Sequence, residues 1–152
     1  MAMKITKCSV RDVCAGENVR IIEPVNIYEC TLKEDVFVGP FVEIQKGCII
    51  GRGSRIQSHC FLCENVIIGE NCFIGHSVTF ANDLFLKGRP DPDPANWLKI
   101  HLGDNVSVGS GATILADSIC SGTVIGAGSV VVRSITVAGI YAGNPARLLR
   151  PL

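Results

Sequence analysis

Large apolar residues recur at every sixth position over a long stretch of the chain: Leu32, Val38, Ile44, Ile50, Ile56, Leu62, Ile68, Ile74 and Phe80. Four positions after each, the residue is mostly small or β-branched, as at Val36, Val42, Cys48, Ser54, Cys60, Val66, Cys72 and Val78. The period resumes at Leu102, Val108 and Ile114, and continues after a five-residue step at Ile119, Ile125 and Val131. Six matches neither the 3.6-residue stripe of a helix nor the alternation of a hairpin meander, but it suits short strands separated by turns and stacked as a β-solenoid. Three hexads then make one triangular coil of 18 residues. Residues 32–79 and 102–131, with a weaker start from Val10 to Ile27, predict five to six coils. Glycine follows the large residue at Gly39, Gly51, Gly69, Gly75, Gly103 and Gly109. A sharp corner that needs positive φ would place it there.

Two segments break the period. Residues 82–98 hold three of the seven prolines and no hexad, which predicts a loop projecting from the coils. Gly143 to Leu149 reads as a short helix with Asn144 as N-cap and Pro145 in the first turn, closing the open end of the solenoid over 143–152. The whole of 1–152 is then one domain, consistent with its 152 residues.

Fourteen basic residues balance fourteen acidic ones, so no net field draws the chain to nucleic acid or to an anionic membrane. Hydrophobic residues reach 47%, yet no apolar run approaches the roughly 20 residues that span a bilayer. The opening residues, Met1 to Cys8, show no apolar leader segment, which predicts a cytoplasmic protein whose eight cysteines stay reduced and pack as small apolar groups. Cys30 and Cys48, 18 residues apart, should stack as an interior pair.

The same register places His59 on Ser77, with His76 beside it, and Asn82 follows six residues later where the loop leaves. His59, His76 and Asn82 are thus expected to converge at the loop base, as a site for a polar substrate. Zinc chemistry would need the three histidines on one metal; His59, His76 and His101 are separated by 17 and 25 residues, so no metal site is expected.

With IIGRGS, IIGENC and VIGAGS in its hexads, the chain resembles the hexapeptide-repeat acyltransferases, which implies a left-handed parallel β-helix. The segment GHSVTFANDLF, with VNIYECTL, FVGPFVEIQ and SHCFLCENV upstream, resembles the N-acetyltransferases of nucleotide-linked amino sugars. That resemblance implies that Asn82 touches the amino sugar, while Leu84 to Gly88 depart from the family pattern. With it, His76 and Asn82 are the catalytic candidates and His59 and Asp83 the substrate-binding ones. IYAGNPARLL resembles the edge of the acyl-CoA site, pointing to Asn144, Pro145 and Arg147, with Gly109, Ala127 and Gly128 on nearby turns and Arg133 as a second phosphate partner. The expected activity is acetyl transfer from acetyl-CoA to an amino group, without a metal, in cell-surface polysaccharide synthesis. An O-acetyltransferase is the alternative, and a zinc carbonic anhydrase or a purely structural solenoid lies further off. Exposed apolar coil faces predict a homotrimer with sites between chains.

Overall fold

The computed structural model describes Met3 and residues 9–152. The leader reading and Cys8 therefore fall, apart from Met3, outside the described residues. The chain winds as a three-sided stack of parallel strands, nearly all two residues long. The first sheet holds Val10–Arg11, Asn26–Tyr28, Glu43–Ile44, Phe61–Leu62, Thr79–Phe80, Thr113–Ile114 and Val130–Val131. Next in each coil comes the second sheet, with Cys14–Ala15, Thr31–Leu32, Ile49–Ile50, Ile67–Ile68, His101–Leu102 and Ser118–Ile119. The third holds Arg20–Ile21, Phe37–Val38, Arg55–Ile56, Phe73–Ile74, Ser107–Val108 and Val124–Ile125, then Gly139–Gly143 and Ala146–Pro151.

The hexad explains this directly. Its large residue is the second of each short strand and points inward: Leu32, Ile44, Ile50, Ile56, Leu62, Ile74 and Phe80 are all 0% exposed. Each such side chain contributes about 1.5–3 kcal/mol on burial. The small residue of the hexad fills the corner, where Val36, Cys48, Val66, Val78 and Ala112 are also 0% exposed. Register follows the 18-residue spacing, as in Phe37↔Arg55↔Phe73, and the five-residue step shortens it to 17 in Leu102↔Ile119.

Three expectations need correcting. The first sheet has seven strands, so there are about seven coils rather than five to six. Val10↔Ile27 and Ile27↔Ile44, 17 residues apart, make a regular first coil from the weak start, and Ile135 pairs with Ile119 to extend a last one.

The C-terminal helix is absent. Gly139–Gly143 joins the third sheet parallel to Val124–Ile125, turns at Asn144-Pro145 and returns antiparallel as Ala146–Pro151. Asn-Pro is as much a turn signal as a helix start, and the exposed edge of the last coil offers ladder bonds that a helix would leave unmade.

The glycines after the large residues do not have positive φ. Their role is close approach: a Cβ on Gly39 would lie 2.8 Å from the backbone N of Ser58 in the next coil. The left-handed corner positions come two residues later and are filled by Asn, Asp, Gly and others, as at Asp35 (φ 60°), His59 (63°), Asn71 (53°) and Gly53 (70°).

Candidate functional site: two neighbouring corners

The projecting loop lies between Thr79–Phe80 of the first sheet and His101–Leu102 of the second, as the missing hexads predicted. It is held by its own carboxylates. Asp83 Oδ1 accepts from the Phe85 N–H and its Oδ2 from the Asp91 N–H, each at 2.8 Å. Asp91 in turn accepts from Lys87 Nζ (3.1 Å), Asn96 Nδ2 (3.2 Å) and the Asp93 N–H (3.0 Å), and its carbonyl accepts from Trp97 Nε1 (3.0 Å). These bonds, led by the Asp93 N–H, hold the Asp91 carboxyl below its ordinary pKa. Asp93 caps a short 3₁₀ turn, Pro94–Asn96.

Between this loop and the corner joining the first and second sheets lies a cavity of about 450 Å³, within the range of small-molecule sites. Its floor is the stack Gln45, Cys63, Ala81 and Leu115; Asn82 and Glu64 stand beside it, and Phe61, Leu84, Phe85 and Trp97 add apolar wall. Burial pushes the Cys63 thiol up to about 12, so it lies in the floor as a neutral, unreactive group. Asn82 is half-buried, and its carbonyl accepts from the Leu98 N–H at 2.8 Å, closing the loop at its base.

His76 stands elsewhere. It occupies the corner joining the third sheet to the first, at the far end of strand Thr79–Phe80 from Asn82, and so does His59. Both are exposed. His76 Nδ1 lies 2.8 Å from Ser58 Oγ, and its N–H donates to Ser110 Oγ at 3.2 Å. The His59 ring stacks on Phe41 with centroids 4.8 Å apart, and its left-handed backbone marks it as a corner residue. The expected convergence of His59, His76 and Asn82 within one chain therefore does not occur: one side of the triangle separates the histidines from the asparagine. Residues 18 apart stack, but residues six apart stand one whole side of the coil from each other.

The structure instead brings His76 together with residues expected to hold the acyl donor. The Gly111 N–H donates to the His76 carbonyl, Gly75 packs under Ser110 and Gly109, Gly109 packs under Ala127, and the Gly128 N–H donates to the Ser110 carbonyl. The Gly143 N–H reaches Ser129 Oγ at 3.1 Å, so the Asn144-Pro145 turn closes the same corner one coil on. Small residues thus line this corner over successive coils, and a Cβ at Gly111 or Gly128 would meet nothing within 4 Å. The Gly109 and Gly128 N–H groups are committed to the ladder, donating to Ile125 and Ser110 carbonyls, whereas among the described residues that of Ala127 makes no backbone bond. Arg147 is exposed at the start of the last strand, with Nη1 on the Ala146 carbonyl. Arg133 is exposed as well, but on the corner that follows the first sheet, apart from the Gly109 stack. His101 faces outward from the second sheet.

Sequence reasoning missed Glu64, Gln45, Phe61 and Trp97 as cavity residues. Glu64 was within reach of it, since the 18-residue register places it one coil before Asn82.

A three-sided stack of parallel strands, with a loop-walled cavity on one corner and a run of small residues on the next, has the left-handed β-helix fold of solved acetyltransferase structures. Residues 29–64 match the bacterial transferase hexapeptide (six repeats) family. A Saccharomyces cerevisiae protein described as an acetyltransferase is 39% identical over 56 residues, which are 36% of this chain and 29% of that protein. Among solved structures, a point mutant of perosamine N-acetyltransferase from Caulobacter crescentus, in complex with CoA and GDP-perosamine, superposes with a TM-score of 0.63 at 21% identity. That match covers 91% of this chain and 56% of the other. The polySia-specific acetyltransferase NeuO gives a TM-score of 0.61 at 25% identity over 93% of this chain and 80% of that one. This chain thus spans about a third of its yeast relative and about half of the Caulobacter enzyme.

Proposed function

We propose that the protein transfers an acetyl group from acetyl-CoA to an amino group of a nucleotide-linked amino sugar, in the cytoplasm and without a metal. The cavity beside Asn82 carries this reading: it is small and loop-walled like small-molecule sites in general, with apolar wall for a ring face and Gln45, Glu64, Asn82 and Asp83 for its polar groups. At the level of fold, the likeness to an enzyme seen with CoA and GDP-perosamine supports it. Along the neighbouring corner, Gly109, Ala127, Gly128, Asn144 and Pro145 would take the pantetheine arm of acetyl-CoA. Arg147 is available for its phosphates, and Arg133 would serve only from another chain or a bent cofactor.

A thioester is already activated, so the chain's task is to orient the acceptor and manage one proton. The neutral amine attacks the carbonyl carbon, a C–N bond forms, the C–S bond breaks, and the CoA thiolate leaves and takes a proton. Asn82 would orient the amine. In the tautomer whose Nδ1–H donates to Ser58 Oγ, His76 keeps Nε2 to accept a proton. Because one chain holds Asn82 and His76 on different corners, their joint action needs two chains. A homotrimer with sites between neighbours provides this, and exposed Phe41, Phe73, Val137 and Leu149 supply apolar surface for it. Light scattering at micromolar concentration should give three times the chain mass; a monomer would refute the assembly.

The direct test is CoA release and acetyl incorporation across a panel of nucleotide-linked amino sugars, with matching hydroxyl sugars beside them. Turnover of a hydroxyl sugar alone would move the activity to O-acetylation.

A further inference from the structure

The cavity at the loop base is lined by two carboxylates, and their circumstances differ. Asp83 has both oxygens committed to loop N–H groups at 2.8 Å. Among the described residues Glu64 pairs only with Lys46, whose Nζ stands 3.8 Å from Glu64 Oε2 and whose side chain is 53% exposed. Such a half-exposed pair is weak and yields readily to a better-placed cation. Gln45, the remaining polar floor residue, already donates to Glu43 Oε1 at 2.9 Å. On the opposite wall, Trp97 has its indole N–H committed to the Asp91 carbonyl, so within the cavity it adds carbon surface beside Phe61, Phe85 and Leu115. A ligand suited to this space has an apolar ring face toward Trp97 and a positive group on the Glu64 side, next to Asn82.

We propose that Glu64 is a specificity residue that selects a protonated amine over a hydroxyl on the acceptor, pairing with the ammonium on binding; the ammonium then gives its proton to solvent or to His76, and the neutral amine beside Asn82 attacks. The assignment rests on the acetyl-transfer reading above and gives it a reason to favour amines. A hydroxyl could donate a hydrogen bond to Glu64 but would gain no charge pairing from it. The charged and titratable groups around Glu64 are Lys46, Glu43, Asp83, Tyr28 and Cys63. The last two are pushed above their ordinary values, chiefly by burial, and so stay neutral. Glu43 and Asp83 add negative potential that Lys46 opposes, so the cavity favours a cation.

The test uses the amino sugar of highest kcat/KM in the panel, with wild type, Glu64→Gln, Glu64→Asp and Lys46→Ala. At pH 7, where the amine is largely protonated, Glu64→Gln should raise KM for the amino sugar roughly ten- to hundred-fold, as expected for losing a charge-assisted bond. KM for acetyl-CoA should stay within about twofold. At pH 9.5, with the amine neutral, wild type and Glu64→Gln should converge. Glu64→Asp should recover part of the loss, and Lys46→Ala should lower KM below wild type. An unchanged KM at pH 7, or a rise equal at both pH values, overturns the role of Glu64 while leaving acetyl transfer intact. If calorimetry shows acetyl-CoA binding but no amino sugar is acetylated, the acetyl-transfer reading falls and the role of Glu64 falls with it.

Discussion

Gly75→Ala is the sharpest test of how the coils stack. A Cβ at Gly75 would stand 2.7 Å from both the Ser110 N and the Val108 O, and 3.0 Å from the Gly109 C. Carbon contacts become comfortable at about 3.5 Å, so the methyl group overlaps three atoms by roughly 0.5–0.8 Å each. All three are backbone, so no side chain can swing away and the coil above must lift. Overpacking of this kind costs about 1–3 kcal/mol, and in a chain of this size each kcal/mol lowers Tm by about 2–4 °C. Scanning calorimetry at matched protein concentration should therefore show Tm falling by roughly 2–12 °C. Gly75→Val, with more volume in the same gap, should fall further. A Tm within about a degree of wild type for Gly75→Ala would refute close approach as the reason for glycine. Equal losses for Ala and Val would refute it too, since they would point to a backbone requirement indifferent to side-chain size.

Other outcomes follow from the site and the core. Burial holds the Cys30 and Cys60 thiols at about 11 and those of Cys48 and Cys63 at about 12. At pH 8, iodoacetamide followed by mass mapping should label exposed Cys14 and leave these four unmodified until denaturant is added. Because the Asp91 carboxyl is held below its ordinary value, the order it gives the loop is fully present above pH about 4 and is lost only as pH falls through its lower folded value. Fluorescence of Trp97, the one tryptophan, should stay flat down to about pH 4 and change below it, and a transition centred above pH 5 would contradict the assignment. Asn82→Ala should lower kcat/KM for the amino sugar about tenfold or more, with acetyl-CoA affinity barely changed. If His76 is the base, His76→Ala should cost about 100-fold in kcat, partly recovered at high pH. A small loss falling on KM would make it a positioning residue.

The sequence by itself determined the solenoid. A six-residue period has one physical solution, because inward residues must recur once per side of the coil, and so the strands, the 18-residue register, the shortened turn after Ile114 and the loop at 82–98 were all legible. The Cys30–Cys48 stack followed from the same arithmetic, and both are buried as free thiols. Tertiary structure decided what periodicity does not encode. Whether Gly143 to Leu149 becomes helix or strand depends on the edge that Gly139–Gly143 offers once it has docked on Val124–Ile125 of the coil before, a contact the local sequence does not encode. Whether a glycine is kept for φ or for room depends on how near the next coil passes: Gly75 has backbone beneath 3 Å, while Gly111 takes φ 71° in open space. The candidate site was divided for the same reason. Distance along a solenoid is short along the stack and large around it, so His76 lies beside Ser58 and Ser110, 18 and 34 residues away, but a full side from Asn82 only six residues on.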